Sequence, residues 1–303
     1  MKNIKRGNAM KFLRYQQHNQ VKPALMYHDC LYDLSDIIDD INSKNISQLS
    51  TIAKFSSDKI KQLPLLTQHI TRENIVNCID EPSKIIAIGM NYLDHLERVN
   101  YLGGEKVPPK EFIFFHKPSS SITGPYCPIE SPCGMQKLDY ENELGVIIGK
   151  PAKRIDQSEA YQYIAGFCII NDVAERSMQF KKPGQYTMGK GCDTFCPIGP
   201  YIVTPDEINI DNLTIQTWVN GQQVQNGTTK NMIFKVPHLI ASLSEYFTLQ
   251  PGDIIATGTP KGVKLEDDIM DHHAEYLKPG DQIKLYIEGL GYQQNDIIEE
   301  PAA

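Results

Sequence analysis

Apolar and polar positions divide the 303-residue chain into two stretches of different character. In the first, residues 10–15 and 24–27 read as short strands. Residues 34–41 and 46–53 carry apolar side chains at three- and four-residue spacing, which predicts two amphipathic helices. From residue 84 short apolar runs take over, and 84–89, 112–115, 144–148, 167–170, 201–203, 214–219, 253–256 and 282–287 read as strands. Asn220-Gly221, set between Trp218-Val219 and Gln222, predicts a two-residue hairpin turn. Helical patterns are confined to 157–163 and 238–249. Strands that do not alternate regularly with helices argue against a doubly wound sheet or a TIM barrel. The predicted class is α+β. Residues 1–9 would be a disordered leader with Met10 as an alternative start, 10–75 a small N-terminal α/β domain, and 80–303 a β-rich catalytic unit.

Composition narrows the function. Apolar residues make up 41% and charged ones 22%, an ordinary globular balance that excludes a largely disordered or collagen-like chain. The formal charge is −7 and no Lys/Arg block stands out, which disfavours nucleic acid as a partner. Apolar runs such as 163–170 are far too short to span a bilayer, and no apolar segment follows the basic start, so a signal peptide is not indicated. Seven scattered cysteines with no Cys-x-x-Cys pair fit reduced thiols in the cytoplasm rather than a zinc knuckle. His18, His28 and His69 stand alone and read as solvated or core residues.

The candidate chemistry begins at Leu138-Asp139-Tyr140-Glu141-Asn142-Glu143-Leu144. If this is a strand, Glu141 and Glu143 share a face, and two like charges there need a compensating cation. An apolar strand ending in Asn171-Asp172 adds a third carboxylate, and three together can hold a hard dication through oxygen alone. The plain alternative has both glutamates facing solvent and Asp172 capping a helix; spacing by itself favours that alternative. Arg176 and Gln179 follow Asp172 at four and seven residues and would share its face of a helix. Lys190 lies in Gly189-Lys190-Gly191, and Thr257-Gly258-Thr259-Pro260 is a turn able to present hydroxyls and N–H groups. Taken singly, each is more readily structural.

Taken together and in order, the segments resemble a family. Gly89-Met90-Asn91-Tyr92-Leu93-Asp94-His95, the 139–149 stretch, Asn171-Asp172-Val173-Ala174-Glu175-Arg176, Gly189-Lys190-Gly191-Cys192-Asp193, Pro197-Ile198-Gly199-Pro200 and Thr257-Gly258-Thr259-Pro260 are similar to the fumarylacetoacetate hydrolase superfamily over about 85–291. The start at 10–15 resembles the leading domain of bacterial members, among them 2,4-diketo-3-deoxy-L-fuconate hydrolases and ureidoglycolate lyases. The resemblance implies that fold, usually as a homodimer, and a site taking small 2-oxo or 2,4-dioxo acids. It implies that Glu141, Glu143 and Asp172 bind Mg²⁺, with Mn²⁺ or Ca²⁺ as alternatives. It also places Arg176, Gln179, Lys190 and Thr259 around the substrate, with Lys117 behind them. Such an ion polarises a 2-oxo group and favours an enolate.

Hydrolysis also needs a base. The resemblance implies that His95 fills this role, paired in hydrolytic members with a Glu three residues later. Position 98 is Arg98 instead. Glu97 is the nearest carboxylate, yet two residues apart on a helix gives roughly opposed faces; Glu105 in a lengthened 99–109 segment is another candidate. The readings are therefore a metal-dependent C–C hydrolase of acylpyruvate type with His95, Glu97 and Lys190 as catalytic residues and 92–109 as a lid; an isomerase, decarboxylase or lyase on the same metal site; or a non-catalytic 2-oxo-acid binder. Adjacent His272-His273 and Asp267-Asp268 read as exposed loop, His238 as packing in a helix's first turn, and Trp218 as core.

Overall fold

The computed structural model describes residues 10–66, 70–99, 109–271 and 274–301. His69, Glu105, His272-His273, the 1–9 leader and residues 100–108 of the 92–109 segment lie outside them.

Nine strands form the main sheet: β1 (Lys11–Gln17), β2 (Gln20–Tyr27), β3 (Cys30–Asp33), β4 (Ile85–Gly89), β5 (Ile113–Lys117), β6 (Asn142–Ile148), β7 (Ile164–Asn171), β8 (Ile202–Val203) and β9 (Ile254–Ala256). They run in the order β3-β2-β1-β8-β7-β6-β9-β4-β5. The β9–β4 pairing is parallel; the other pairings in this sheet are antiparallel. A second, five-stranded sheet contains Thr214–Val219, Gln222–Thr228, Gln282–Ile287, Gly291–Glu299 and Ile129–Ser131. The expected β-rich α+β class is what the chain adopts.

Every residue of β6 and β7 is buried, because a core lies on each side of them. Leu144, Val146, Ile148, Phe167 and Ile169 pack toward the second sheet with Ile215, Ile283 and Leu285. Ile147, Cys168 and Ile170 pack the other way, against Phe12, Leu25, Leu34, Ile41 and Ile46. Continuous apolar runs are the signature of strands covered on both faces. Residues 10–75 thus share a core with the rest of the chain, and β1 joins the main sheet through Lys11↔Val203 and Phe12↔Ile202.

The N-terminal stretch departs from the predicted helices. Leu34, Ile38 and Ile41 are buried as their spacing suggests, but 34–41 is a run of turns. Short acidic side chains compete for the backbone there: Asp33 Oδ1 accepts from the Ser35 N–H at 2.7 Å and Asp40 Oδ1 from the Ile41 N–H at 2.7 Å, which offers the chain an alternative to a helix. Over 46–53 only a 3₁₀ turn and the four-residue helix Leu49–Ile52 form. His18 and His28 begin tight turns, with φ of 49° and 51°. Asn220-Gly221 is the predicted hairpin turn, with φ of 50° and 81°. The 238–249 helix runs over Val236–Tyr246 with Pro237 in its first turn, and 157–163 is 3₁₀ in form. Trp218 is half-buried rather than core. No helix among the described residues is long and apolar enough to cross a membrane.

Candidate active site

Register sets the carboxylates. β6 pairs with β7 through Ile170↔Glu143 and Gly145↔Cys168. Glu143 therefore continues the row of Gly145 and Ile147, and Asp172 that of Cys168 and Ile170. Both rows point away from the second sheet. Glu141 lies just before β6, and its carbonyl accepts the Asp172 N–H at 2.9 Å, which ties the two strand ends together. One oxygen from each of Glu141, Glu143 and Asp172 falls within 4.8 Å of the others. The solvent-facing alternative is overturned, since Glu143 and Asp172 are each 1% exposed. Asp172 caps no helix; Glu175 does so instead, accepting from the Met178 N–H at 2.8 Å.

Buried cations surround the cluster. Lys190 Nζ lies 2.6 Å from Glu141 Oε2 and 2.9 Å from Asp172 Oδ2. Arg176 Nη2 lies 2.7 Å from Glu141 Oε1 and 2.8 Å from Asp139 Oδ2, and its Nη1 donates to Gln179 Oε1 at 2.9 Å. Arg176 and Gln179 belong to one short helix, Arg176–Gln179, which starts four residues later than a helix from Asp172 would. Lys117 Nζ is 2.6 Å from Asp172 Oδ1 and donates to the carbonyls of Lys190 and Val173. Thr259 donates to the Asn142 carbonyl at 3.1 Å and accepts from Gln225 Nε2 at 3.0 Å.

The electrostatics separate the two glutamates. Burial pushes Glu141 toward its neutral form, but Lys190 and Arg176 outweigh it and hold the carboxyl well below its ordinary range. Glu143 forms no ion pair among the described residues and feels Lys190 only weakly. Burial, then repulsion from Asp172 and Glu141, raise it well above that range, although the Gly258 N–H donates to its Oε2 at 2.7 Å. Burial works against charge on Lys190 and Arg176 too, but the carboxylates prevail and keep both firmly protonated. Asp172 Oδ1 receives no well-formed hydrogen bond despite its buried position. A hard dication fits this donor set. All three ligands are oxygen, and Glu143 is the one cluster carboxylate with no ion pair among the described residues, Lys190 acting on it only at longer range.

His95 closes one side of the pocket that Glu141, Glu143, Arg176, Gln179, Lys190 and Thr259 line. It sits on the helix Leu93–Val99. The motif's Asn91 anchors the approach to that helix, donating to the carbonyls of Thr257 and Phe234 and accepting from the Phe234 N–H. Glu97 is exposed and is not brought to His95; its side chain leaves on the opposite side of the helix, as two-residue spacing requires. Arg98 is exposed as well, with Nη1 2.8 Å from Met270 Sδ.

The carboxylate that does meet His95 is one that sequence reasoning missed. Glu266 Oε1 lies 2.5 Å from His95 Nδ1. Glu266 belongs to the helix Lys264–Asp271, which also takes in Asp267-Asp268, a pair expected in an exposed loop. Leu265 and Ile269, four apart behind an acidic first turn, carried the helical signal. No local pattern links position 95 to position 266. Asp139 is the other omission: besides Arg176 it accepts from the N–H groups of Lys264 and Leu265, each at 2.9 Å, and so holds the start of that helix.

Comparison with known proteins gives concordant results. The sequence profile described as fumarylacetoacetate (FAA) hydrolase, C-terminal, matches residues 84–298. A protein of Burkholderia multivorans, named provisionally as a hydrolase, is 42% identical over 287 residues, covering 94% of this chain and 97% of its own. Among solved structures, a fumarylacetoacetate hydrolase from Exiguobacterium antarcticum superposes with a TM-score of 0.82 at 33% identity, covering 96% of this chain and all of its own. A 2-hydroxyhepta-2,4-diene-1,7-dioate isomerase from Mycobacterium marinum gives 0.72 at 27% identity, covering 97% and 100%.

Proposed function

The chain belongs to the fumarylacetoacetate hydrolase family, and from that membership we propose that it is a divalent-metal-dependent hydrolase cleaving a C–C bond in a small 2,4-dioxo acid of the acylpyruvate type. The observation that carries the reading is the set of three carboxylate oxygens within 4.8 Å of one another, in one pocket with His95, Arg176 and Lys190. Glu141, Glu143 and Asp172 would hold Mg²⁺ or Mn²⁺, which supplies Lewis-acid polarisation of the 2-oxo group when bound. Arg176 and Lys190 offer fixed positive charge to the substrate carboxylate and the developing enolate. Gln179, whose Oε1 accepts from Arg176 and which lines the pocket, would offer its amide N–H groups to the substrate. Thr259 shapes the same wall.

His95 Nε2 has no protein partner among the described residues and takes a proton from water; Glu97 has no part. The acyl end meets Ile88, Met90, Phe115, Phe180 and Leu265. The described lining cations, Arg176 and Lys190, are already engaged with the inner carboxylates. An apolar acyl group therefore suits the pocket better than one ending in a second carboxylate. The reading includes a homodimer as working unit and the cytoplasm as compartment, in keeping with seven unpaired cysteines.

Turnover of acylpyruvates with Mg²⁺ tests it, with pyruvate as the measured product. Wild type should release pyruvate, fastest from aryl or alkyl substrates, and Glu143→Ala should lose at least about a hundredfold. Equal rates for the two proteins defeat the proposal. A second reading, tautomerisation of a 2-hydroxydienoate or 2-oxo acid on the same residues, is favoured by the likeness to the Mycobacterium marinum isomerase. It predicts solvent deuterium entering the carbon skeleton without cleavage.

A further inference from the structure

We infer that Glu266 is the residue that positions His95, so that the acid–base pair of this site is built across two helices rather than within one. The inference rests on the proposed use of His95 as base and identifies what makes it one. The position three residues after the histidine, where hydrolytic relatives are expected to carry the partner, is Arg98, which is exposed and turned toward Met270. Glu97 faces solvent. Glu266 arrives from 171 residues further along the chain and places Oε1 2.5 Å from His95 Nδ1. The pair is buried, His95 being 5% exposed and Glu266 3%.

Both oxygens of Glu266 are committed. Oε1 meets the ring and Oε2 accepts the Gly262 N–H at 2.8 Å, so the carboxylate cannot rotate without losing one of them. The helix that carries it is held at its start by Asp139, which also pairs with Arg176. A carboxylate against Nδ1 selects one tautomer: the proton resides on Nδ1, and the lone pair of Nε2 points away from Glu266. In the proposed step, water gives a proton to Nε2 and its oxygen bonds to the acyl carbon. The C–C bond electrons then depart as the pyruvate enolate, whose carbon takes the proton back from Nε2. Glu266 gives up no proton in this step, and its carboxylate faces the imidazolium while it lasts. A Glu266 that merely stapled Gly262 to its helix would leave the ring's tautomer and reactivity alone.

Two measurements decide the matter. Imidazole NMR on the metal-free wild-type protein at about pH 8 should show His95 as the Nδ1–H tautomer with a strongly downfield proton, absent from Glu266→Gln and from His95→Asn. An Nε2–H tautomer in the wild type overturns the assignment, and this result needs no variant to fold and no substrate to be identified. It therefore fails or succeeds independently of the hydrolase reading. In turnover, Glu266→Gln should lower kcat by about a hundredfold, with KM changed less than about threefold. Glu266→Asp should recover part of that loss, and Mn²⁺ affinity measured by electron paramagnetic resonance should stay within about threefold. The effect of Glu266→Gln should vanish in a His95→Asn background, because residues acting as one unit are not additive. Multiplicative losses in the double variant would instead make Glu266 an independent structural residue.

Discussion

Glu141 and Glu143 are two residues apart and share a face, yet they differ in what compensates them. Glu141 is flanked by Lys190 and Arg176; Glu143 has a single backbone N–H. Because its folded-state pKa is raised, Glu143 binds a proton more tightly folded than unfolded. Its contribution to stability is full below the ordinary carboxyl range and is lost as pH rises through the folded value. In chelator, Glu143→Gln should therefore raise the thermal midpoint by a few degrees, as relief of about 1 kcal/mol would in a chain of this size. The gain over wild type should widen as pH climbs from about 4.5. The same variant should lose the stabilisation that added Mn²⁺ gives wild type. Thermal scans with and without Mn²⁺ check both, and a gain that shrinks with rising pH would contradict the account. Glu141, Glu143, Asp172, Arg176, Gln179, Lys190 and Thr259 were all legible as candidates because they lie in an ordered set of motifs. Glu266 was not, since its meaning depends on a contact between two helices distant in sequence.

At the scale of elements, the turn after β9 matters as much as the strands. Gly258 has φ of +94°, and a Cβ there would stand 2.9 Å from the Asn91 Cβ and 3.2 Å from the Ile88 carbonyl oxygen. Its N–H is the donor to Glu143. Gly258→Ala should cost about 1–3 kcal/mol from the backbone conformation alone. It should also weaken Mn²⁺ binding, measurable by calorimetry together with the denaturant midpoint. Gly189 is similarly constrained, since a methyl group at that position would collide with the Gln179 backbone nitrogen and the Glu175 carbonyl oxygen; there the helix bearing Lys190 crosses the helix bearing Arg176. Strand positions were readable because β6 and β7 are continuous apolar runs, and the Asn220-Gly221 hairpin because its turn chemistry is local. The 34–41 segment misled because its apolar spacing reports burial correctly, while Asp33 and Asp40 redirect the backbone into turns.

At the scale of the molecule, the described residues of 10–75 are more closely joined to the remainder than their plain composition suggests. Phe12, Leu25, Leu34 and Ile46 cover the face of β6 and β7 opposite the second sheet. Arg14 reaches Asp40 at 2.7 Å and Asp80 at 3.0 Å, bridging the expected 75/80 boundary. Calorimetry of the full chain should therefore show one unfolding transition, and Phe12→Ala should lower its stability by about 3–5 kcal/mol rather than create a separate early event. Two resolved transitions would mark 10–75 as an independent domain. Periodicity could not reveal this join, because pairing of β1 with β8 unites positions about 190 residues apart.

The clustered carboxylates hang from strands clothed on both faces, whereas His95 and Glu266 ride on two short peripheral helices. The carboxylate cluster and the His95–Glu266 pair are thus carried by separate parts of one scaffold. Such a division would let the outer pair be rebuilt without disturbing the inner cluster, and it offers a route by which one framework could diversify its reactions.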